Sequence, residues 1–214
     1  MSVAAKICGL SSAAAVAAAA EGGARYLGFV FYPPSPRAID PPAAARLAAA
    51  APAGILKVGL FVDAADAAIA AVLDLVPLDL LQFHGRESPE RVAVARRRFG
   101  RPIIKAVALA GVPDLATAAH YQEVADLLLF DARPPRDPGA LPGGNGLAFD
   151  WALLAGRSWR VPWMLSGGLT AERLAEAVEI SGATIVDVSS GVERRPGVKD
   201  PDRIRAFLAA ARAL

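Results

Sequence analysis

Short apolar runs alternate with alanine-rich helical stretches eight times along the 214 residues, and no shift in composition marks a linker. No G-x-G-x-x-G turn follows the first run, which removes the main sign of an open doubly wound sheet. Repeated strand–helix units imply parallel strands joined by right-handed crossovers. Eight such units close into a (β/α)8 barrel of the TIM type, at the small end of its size range. The expected architecture is α/β, one barrel domain over residues 1–214.

In chain order, Val3–Cys8 reads as the first strand and Ser12–Glu21 as a helix stopped by Gly22-Gly23. Tyr26–Phe31 is an apolar run of strand length, followed by a proline-rich loop to Arg37 and a helix opened by Pro41-Pro42. Ile55–Val62 is the third strand, with Asp63 expected to cap a helix over 64–75. Leu78–Phe83 comes next, then a helix capped by Ser88 and ended by Gly100. Pro102–Ala108 and Val124–Phe130 are the fifth and sixth strands, flanking a helix over 113–123. A Gly/Pro-rich loop over 132–146 precedes a short helix near 150–154. Val161–Leu165 and Ala183–Val188 complete the strands, with helices over 170–179 and 200–213.

Composition excludes several functions. The net charge is only +2 and no long basic run occurs, so nucleic acid finds no electrostatic footprint. The single cysteine rules out an internal disulfide, and no Cys/His group has zinc spacing, so no metal is expected. The alanine-rich N-terminal run carries serines and is bracketed by charge, unlike a signal peptide or a spanning helix. A soluble cytoplasmic protein is the expectation, with no membrane partner.

A barrel of this type works at the C-terminal ends of its strands. The polar residues expected there are Cys8, Arg37, Asp63, Gln82, His84, Lys105, Asp131, Asp187 and the glycine loops Ser166-Gly167-Gly168 and Ser189-Ser190-Gly191. Glycine loops after strands 7 and 8 suit a phosphate, held by backbone N–H groups and a nearby helix N-terminus. Cys8 precedes a glycine turn and a helix start, and Lys6 shares its strand face; both features favour thiolate. Strands 1 and 6 lie three places apart around the ring, so Asp131 faces Cys8 as a possible acid–base partner. The three tryptophans read as packing residues, and the arginines of 91–101 as the solvated face of an outer helix.

These motifs together resemble the phosphoribosylanthranilate isomerase family of tryptophan biosynthesis. The similarity rests on Lys6-Ile7-Cys8-Gly9-Leu10, Gly28-Phe29-Val30-Phe31 with Ser35-Pro36-Arg37, and Val58-Gly59-Leu60-Phe61-Val62. It continues through Gln82-Phe83-His84-Gly85, Phe149-Asp150-Trp151, Leu165-Ser166-Gly167-Gly168-Leu169, and the run Asp187 to Glu193 with Pro196-Gly197-Val198-Lys199-Asp200. The resemblance implies a cofactor-free Amadori rearrangement of N-(5-phosphoribosyl)anthranilate, an aminoaldose, to an aminoketose. It makes Asp131 the general acid on the ring oxygen and Cys8 the general base at sugar C2. It places Arg37 at the anthranilate end of the substrate with Asp187 near it, and Gly167, Gly168, Ser190 and Gly191 on the phosphate; Gln82 and His84, at and just past the end of strand 4, are expected to bind or orient the substrate. A monomer or a homodimer is expected. Asn145 stands where the family more often has Thr or Ser, and the stretch 134–142 is rich in proline and arginine.

Two other readings compete. A related histidine-pathway aminoaldose isomerase would use a pair of aspartates, with one in place of Cys8. A non-catalytic phosphate-binding barrel would need neither Cys8 nor Asp131.

Overall fold

A computed structural model describes residues 3–135 and 141–214. Eight parallel strands close into a barrel in sequence order: β1 Ala4–Cys8, β2 Tyr26–Val30, β3 Leu56–Phe61, β4 Leu80–Phe83, β5 Ile103–Leu109, β6 Leu127–Ala132, β7 Trp163–Leu165 and β8 Ile185–Val188. The ring shuts where β1 pairs with β8, Lys6 lying in register with Asp187. Among the described residues seven α-helices surround it: α1 Ala13–Glu21, α2 Pro41–Ala49, α3 Asp66–Leu73, α4 Pro89–Phe99, α5 Val112–Tyr121, α6 Leu174–Ser181 and α7 Pro201–Arg212. The fold class read from the sequence is the one observed.

Local chemistry sets most helix boundaries. Ser12, Asp40, Ser88 and Asp200 each accept from a backbone N–H of the first helical turn, satisfying donors that have no partner inside the helix. Alternating strand residues divide the core. Outward residues such as Ile7, Phe29, Phe83 and Phe130 pack under the helices. Inward residues Tyr26, Val58, Leu80, Ile104, Leu129 and Met164 plug the barrel floor. Above that plug several inward positions turn polar, among them Gln82, Asp131, Ser166 and Asp187, and the site is built there.

Several expected elements differ. Among the described residues the segment after β6 makes only a 3-10 helix, Trp151–Leu154, in place of a barrel α-helix. Asp63 caps nothing: it has φ 48°, α3 starts after Ala65, and its carboxylate accepts from the Arg86 N–H at 2.7 Å. Asp63 instead ties the loop after β3 to the loop after β4. The helix expected from Thr170 starts at Leu174. A hairpin not expected from the sequence, β9 Glu193–Arg195 with β10 Val198–Lys199, follows β8. Within the proline-rich stretch 134–142, residues 136–140 lie outside the described residues. Among the described residues, no helix is long and apolar enough to cross a membrane.

Candidate active site

One pocket opens at the C-terminal end of the barrel. Its lining includes Cys8, Arg37, His84, Asp131, Asp187 and the glycine loops after β7 and β8. Lys6 and Cys8 both point inward from β1, Lys6 one layer deeper. The Lys6 ammonium is fully buried and lies 2.8 Å from Asp187 Oδ1. Ser166 Oγ donates to the other Asp187 oxygen at 3.3 Å. Burial pulls the Lys6 ammonium down, but Asp187 and Cys8 outweigh it and hold the lysine above its ordinary value. Asp187 thus belongs to an ion pair beneath Cys8, with an edge still on the pocket.

Cys8 itself sits in an apolar collar with Val30 and Leu60. Burial raises its thiol above the ordinary value, Lys6 pulls it down, and Asp187 pushes it up again. The net shift is upward. This corrects the expectation of a resting thiolate: the cation is present, but desolvation and Asp187 win. With a raised pKa the folded protein holds the proton to higher pH than an ordinary thiol. Alkylation of Cys8 by iodoacetamide should therefore still be accelerating as pH passes 9.0, the ordinary value. A rate already level at pH 8 would contradict the direction of the shift.

Across the pocket, Asp131 is the inward residue near the end of β6 and is buried. One oxygen accepts from the Ala132 N–H at 2.8 Å; the other lies 3.3 Å from His84 Nε2. His84 Nδ1 in turn lies 2.9 Å from Gln82 Nε2. With the amide of Gln82 donating, His84 carries its proton on Nε2 and donates it to Asp131. Gln82 is fully buried behind His84 and stands outside the pocket lining, so it meets a substrate only through that ring. Lys105 does not face the pocket at all. It points outward from β5 to Glu87 and the Phe83 and Gly85 carbonyls, bracing the loop after β4.

Arg37 is buried rather than solvated. Its Nε and Nη2 donate to the two oxygens of Glu193 at 2.8 and 2.9 Å, and Nη2 also donates to the Gly144 carbonyl at 3.0 Å. Gly143 and Gly144 pack onto both sides of the site. A Cβ on Gly143 would fall 2.5 Å from His84 Nε2 and 2.8 Å from Asp131 Oδ2; one on Gly144 would fall 2.5 Å from Arg37 Nη1. Only glycine lets backbone lie that close to the acid on one side and the guanidinium on the other. Asn145 donates to the Leu141 carbonyl of its own loop at 2.8 Å.

The two rim loops touch. A Cβ on Gly191 would fall 2.0 Å from the Leu169 carbonyl oxygen, so the loop after β8 lies flat on the loop after β7. Gly167 is buried with φ 87°, and among the described residues the N–H groups of Gly167 and Gly168 donate to no protein acceptor. Free amides in a buried glycine turn suit an oxyanion. No α-helix starts directly on either loop, which differs from the helix-assisted site expected. Ser190 and Gly191 open a 3-10 turn instead.

Two residues at the rim, Glu193 and Lys199, were given no role from the sequence. Glu193 and Lys199, on β9 and β10, join at 2.7 Å, and Lys199 also donates to the carbonyl and hydroxyl of Ser189. Ser189 Oγ donates to the Cys8 carbonyl at 3.1 Å. Burial alone would raise Glu193, yet Arg37 and Lys199 together hold it below the usual carboxylate range. The one available clue was Pro196-Gly197 between charged residues, a turn that could have marked the hairpin.

Comparison with known proteins gives a consistent picture. A family model described as N-(5'-phosphoribosyl)anthranilate (PRA) isomerase matches residues 5–210. The N-(5'-phosphoribosyl)anthranilate isomerase of Paracoccus denitrificans (strain Pd 1222) is 59% identical over 213 residues, covering 100% of this chain and 99% of that protein. A solved phosphoribosyl anthranilate isomerase, in complex with reduced 1-(o-carboxyphenylamino)-1-deoxyribulose 5-phosphate, aligns with TM-score 0.84 and 34% identity, covering 99% of this chain and 100% of its own. Monomers generated from the dimeric enzyme of Thermotoga maritima align with TM-score 0.83 and 34% identity, over the same shares of the two chains.

Proposed function

Because the chain belongs to the N-(5'-phosphoribosyl)anthranilate isomerase family, an isomerase family of tryptophan biosynthesis, we propose that it converts N-(5'-phosphoribosyl)anthranilate to the 1-deoxyribulose 5-phosphate aminoketose, with Asp131 as acid and Cys8 as base. The observation that supports this reading is that Cys8 from β1 and Asp131 from β6 line one pocket, with the glycine loops after β7 and β8 on its rim.

Asp131 acts as the general acid, giving a proton to the furanose ring oxygen. The C1–O bond breaks as the anilino nitrogen lone pair forms C1=N, leaving a positively charged Schiff base. Cys8 then removes the proton on C2; that electron pair becomes C1=C2, and the nitrogen regains its lone pair. The enolamine takes a proton at C1 and loses one from the C2 hydroxyl to become the ketone. The scheme balances without an external oxidant or reductant: C1 is reduced as C2 is oxidised, and the protons gained at the ring oxygen and C1 equal those lost from C2 and its hydroxyl.

The raised thiol fits this order. Cys8 is needed as base only after ring opening, and by then an iminium cation stands beside it. An added positive charge a few ångströms away favours thiolate, offsetting the desolvation that holds the proton on the resting thiol. Lys6, paired beneath, supplies a permanent cation that limits the cost. His84 orients the Asp131 carboxyl, and Gln82 fixes the His84 tautomer. Asp187 is the inward carboxylate next to Cys8, and Arg37 takes the anthranilate carboxylate. Gly167, Gly168, Ser190 and Gly191 take the phosphate through backbone N–H groups. We place the protein in the cytoplasm, where a single free thiol stays reduced, as a monomer or a homodimer.

The purified protein should consume phosphoribosylanthranilate, followed by loss of its fluorescence. No loss of signal, against steady turnover of the histidine-pathway aminoaldose, would overturn the substrate assignment.

A further inference from the structure

We propose that Glu193 is a positioning residue for Arg37, fixing the edge through which the guanidinium reads the substrate carboxylate; this rests on the Arg37 assignment above. A guanidinium offers two pairs of donors, and either can hold a carboxylate side-on. Glu193 occupies the Nε–Nη2 pair at 2.8 and 2.9 Å. Among the described residues Nη1 donates to no acceptor, and Nη2 spends its remaining capacity on the Gly144 carbonyl. A second carboxylate can therefore meet Arg37 only at its Nη1 end. The substrate's approach is set by which donors Glu193 has taken.

The bracing reaches further than one pair. Two cations, Arg37 and Lys199, share the one Glu193 carboxylate, so the cluster keeps a surplus positive charge facing the pocket. Lys199 passes the constraint through Ser189 to the Cys8 carbonyl. Arg203 donates to the Glu193 carbonyl from α7. Gly197 of the hairpin turn, at φ 80°, presses on the loop carrying Arg37, since a Cβ there would lie 2.2 Å from the Pro36 carbonyl oxygen. A free arginine would lose rotamer freedom on capturing an anion; Glu193 holds it in place beforehand.

The test is a two-residue cycle of Glu193→Gln and Arg37→Ala, read as kcat and KM separately. Arg37 sits at the end of the substrate away from the reacting carbons, so the lost contact is equal in ground and transition states and should appear in KM. Glu193→Gln is expected to raise KM about 10-fold or more, with kcat within about 3-fold, as for loss of a charge-assisted pair. In the Arg37→Ala background the same change should alter kcat/KM by less than about 2-fold. An equal loss in both backgrounds, or a loss confined to kcat, would overturn the proposal and leave Glu193 a purely structural residue of the hairpin. Competitive inhibition by inorganic phosphate should be unchanged in Glu193→Gln; a weakened inhibition would also count against it. If Glu193→Gln does not fold, Glu193→Asp is measured instead. It keeps the charge but shortens the fork, and wild-type KM there would overturn the idea. Arg37→Ala alone separates the two levels: an unchanged KM removes the Arg37 assignment itself, whereas a raised KM beside a silent Glu193→Gln removes only the role of Glu193.

Discussion

Replacing Cys8 with alanine is expected to lower kcat/KM for phosphoribosylanthranilate by about 10²- to 10⁴-fold, the range that a positioned general base contributes. Alanine keeps the apolar collar with Val30 and Leu60 and removes only the sulfur. The Lys6–Asp187 pair below stays intact, since its 2.8 Å contact does not pass through Cys8. The fold and inorganic phosphate binding should therefore persist, and the loss should fall on kcat. Cys8→Ser is expected to be nearly as slow, because an alcohol in the same desolvated collar is far harder to ionise than a thiol. Turnover near the wild-type rate in Cys8→Ala would remove the base from the scheme.

Asp131→Asn should cost a similar factor, about 10²- to 10⁴-fold in kcat. Asparagine can still accept from the Ala132 N–H through its carbonyl oxygen, preserving the 2.8 Å contact. Its amide NH2 then faces His84 Nε2, where the carboxylate accepted at 3.3 Å. Two donors oppose each other, so the imidazole must change tautomer, and Gln82 must turn its amide to follow. That adjustment is small and leaves a folded barrel. What cannot be recovered is an acidic proton for the ring oxygen. A folded Asp131→Asn variant with wild-type kcat would show that ring opening draws its proton from elsewhere.

The barrel was legible because its strands are apolar runs bounded by glycine and proline, and its helices start at Ser, Asp and Pro. Ser88-Pro89 through Gly100 is one example, with a capping serine at one end and a left-handed glycine at the other. Where the pattern failed, tertiary packing decided. The segment after β6 carries Asp150 as a cap yet winds into a 3-10 turn, and Asp63 looked like a cap but serves the neighbouring loop. The pocket position of Cys8, Asp131 and the glycine loops followed from strand order alone. The braces behind them did not. Lys6 and Asp187 are 181 residues apart, and Arg37 and Glu193 are 156 apart, so no local pattern links either pair. Nor could sequence weigh the ionisation of Cys8. It offers Lys6 and a helix start, but neither the burial of the sulfur nor Asp187 across the β1–β8 seam.

In the proposed scheme, removal of the C2 proton by Cys8 is the step on which the rest depends. Substrate carrying deuterium at sugar C2 tests it directly, with the label followed by mass spectrometry of the product and of residual substrate. Wild-type protein should release the label from C2 as ketone forms. Cys8→Ala should leave the label on unreacted substrate over the same time, while still binding inorganic phosphate. Loss of deuterium from C2 at the wild-type rate in Cys8→Ala would contradict the assignment of Cys8 as the proton-abstracting base.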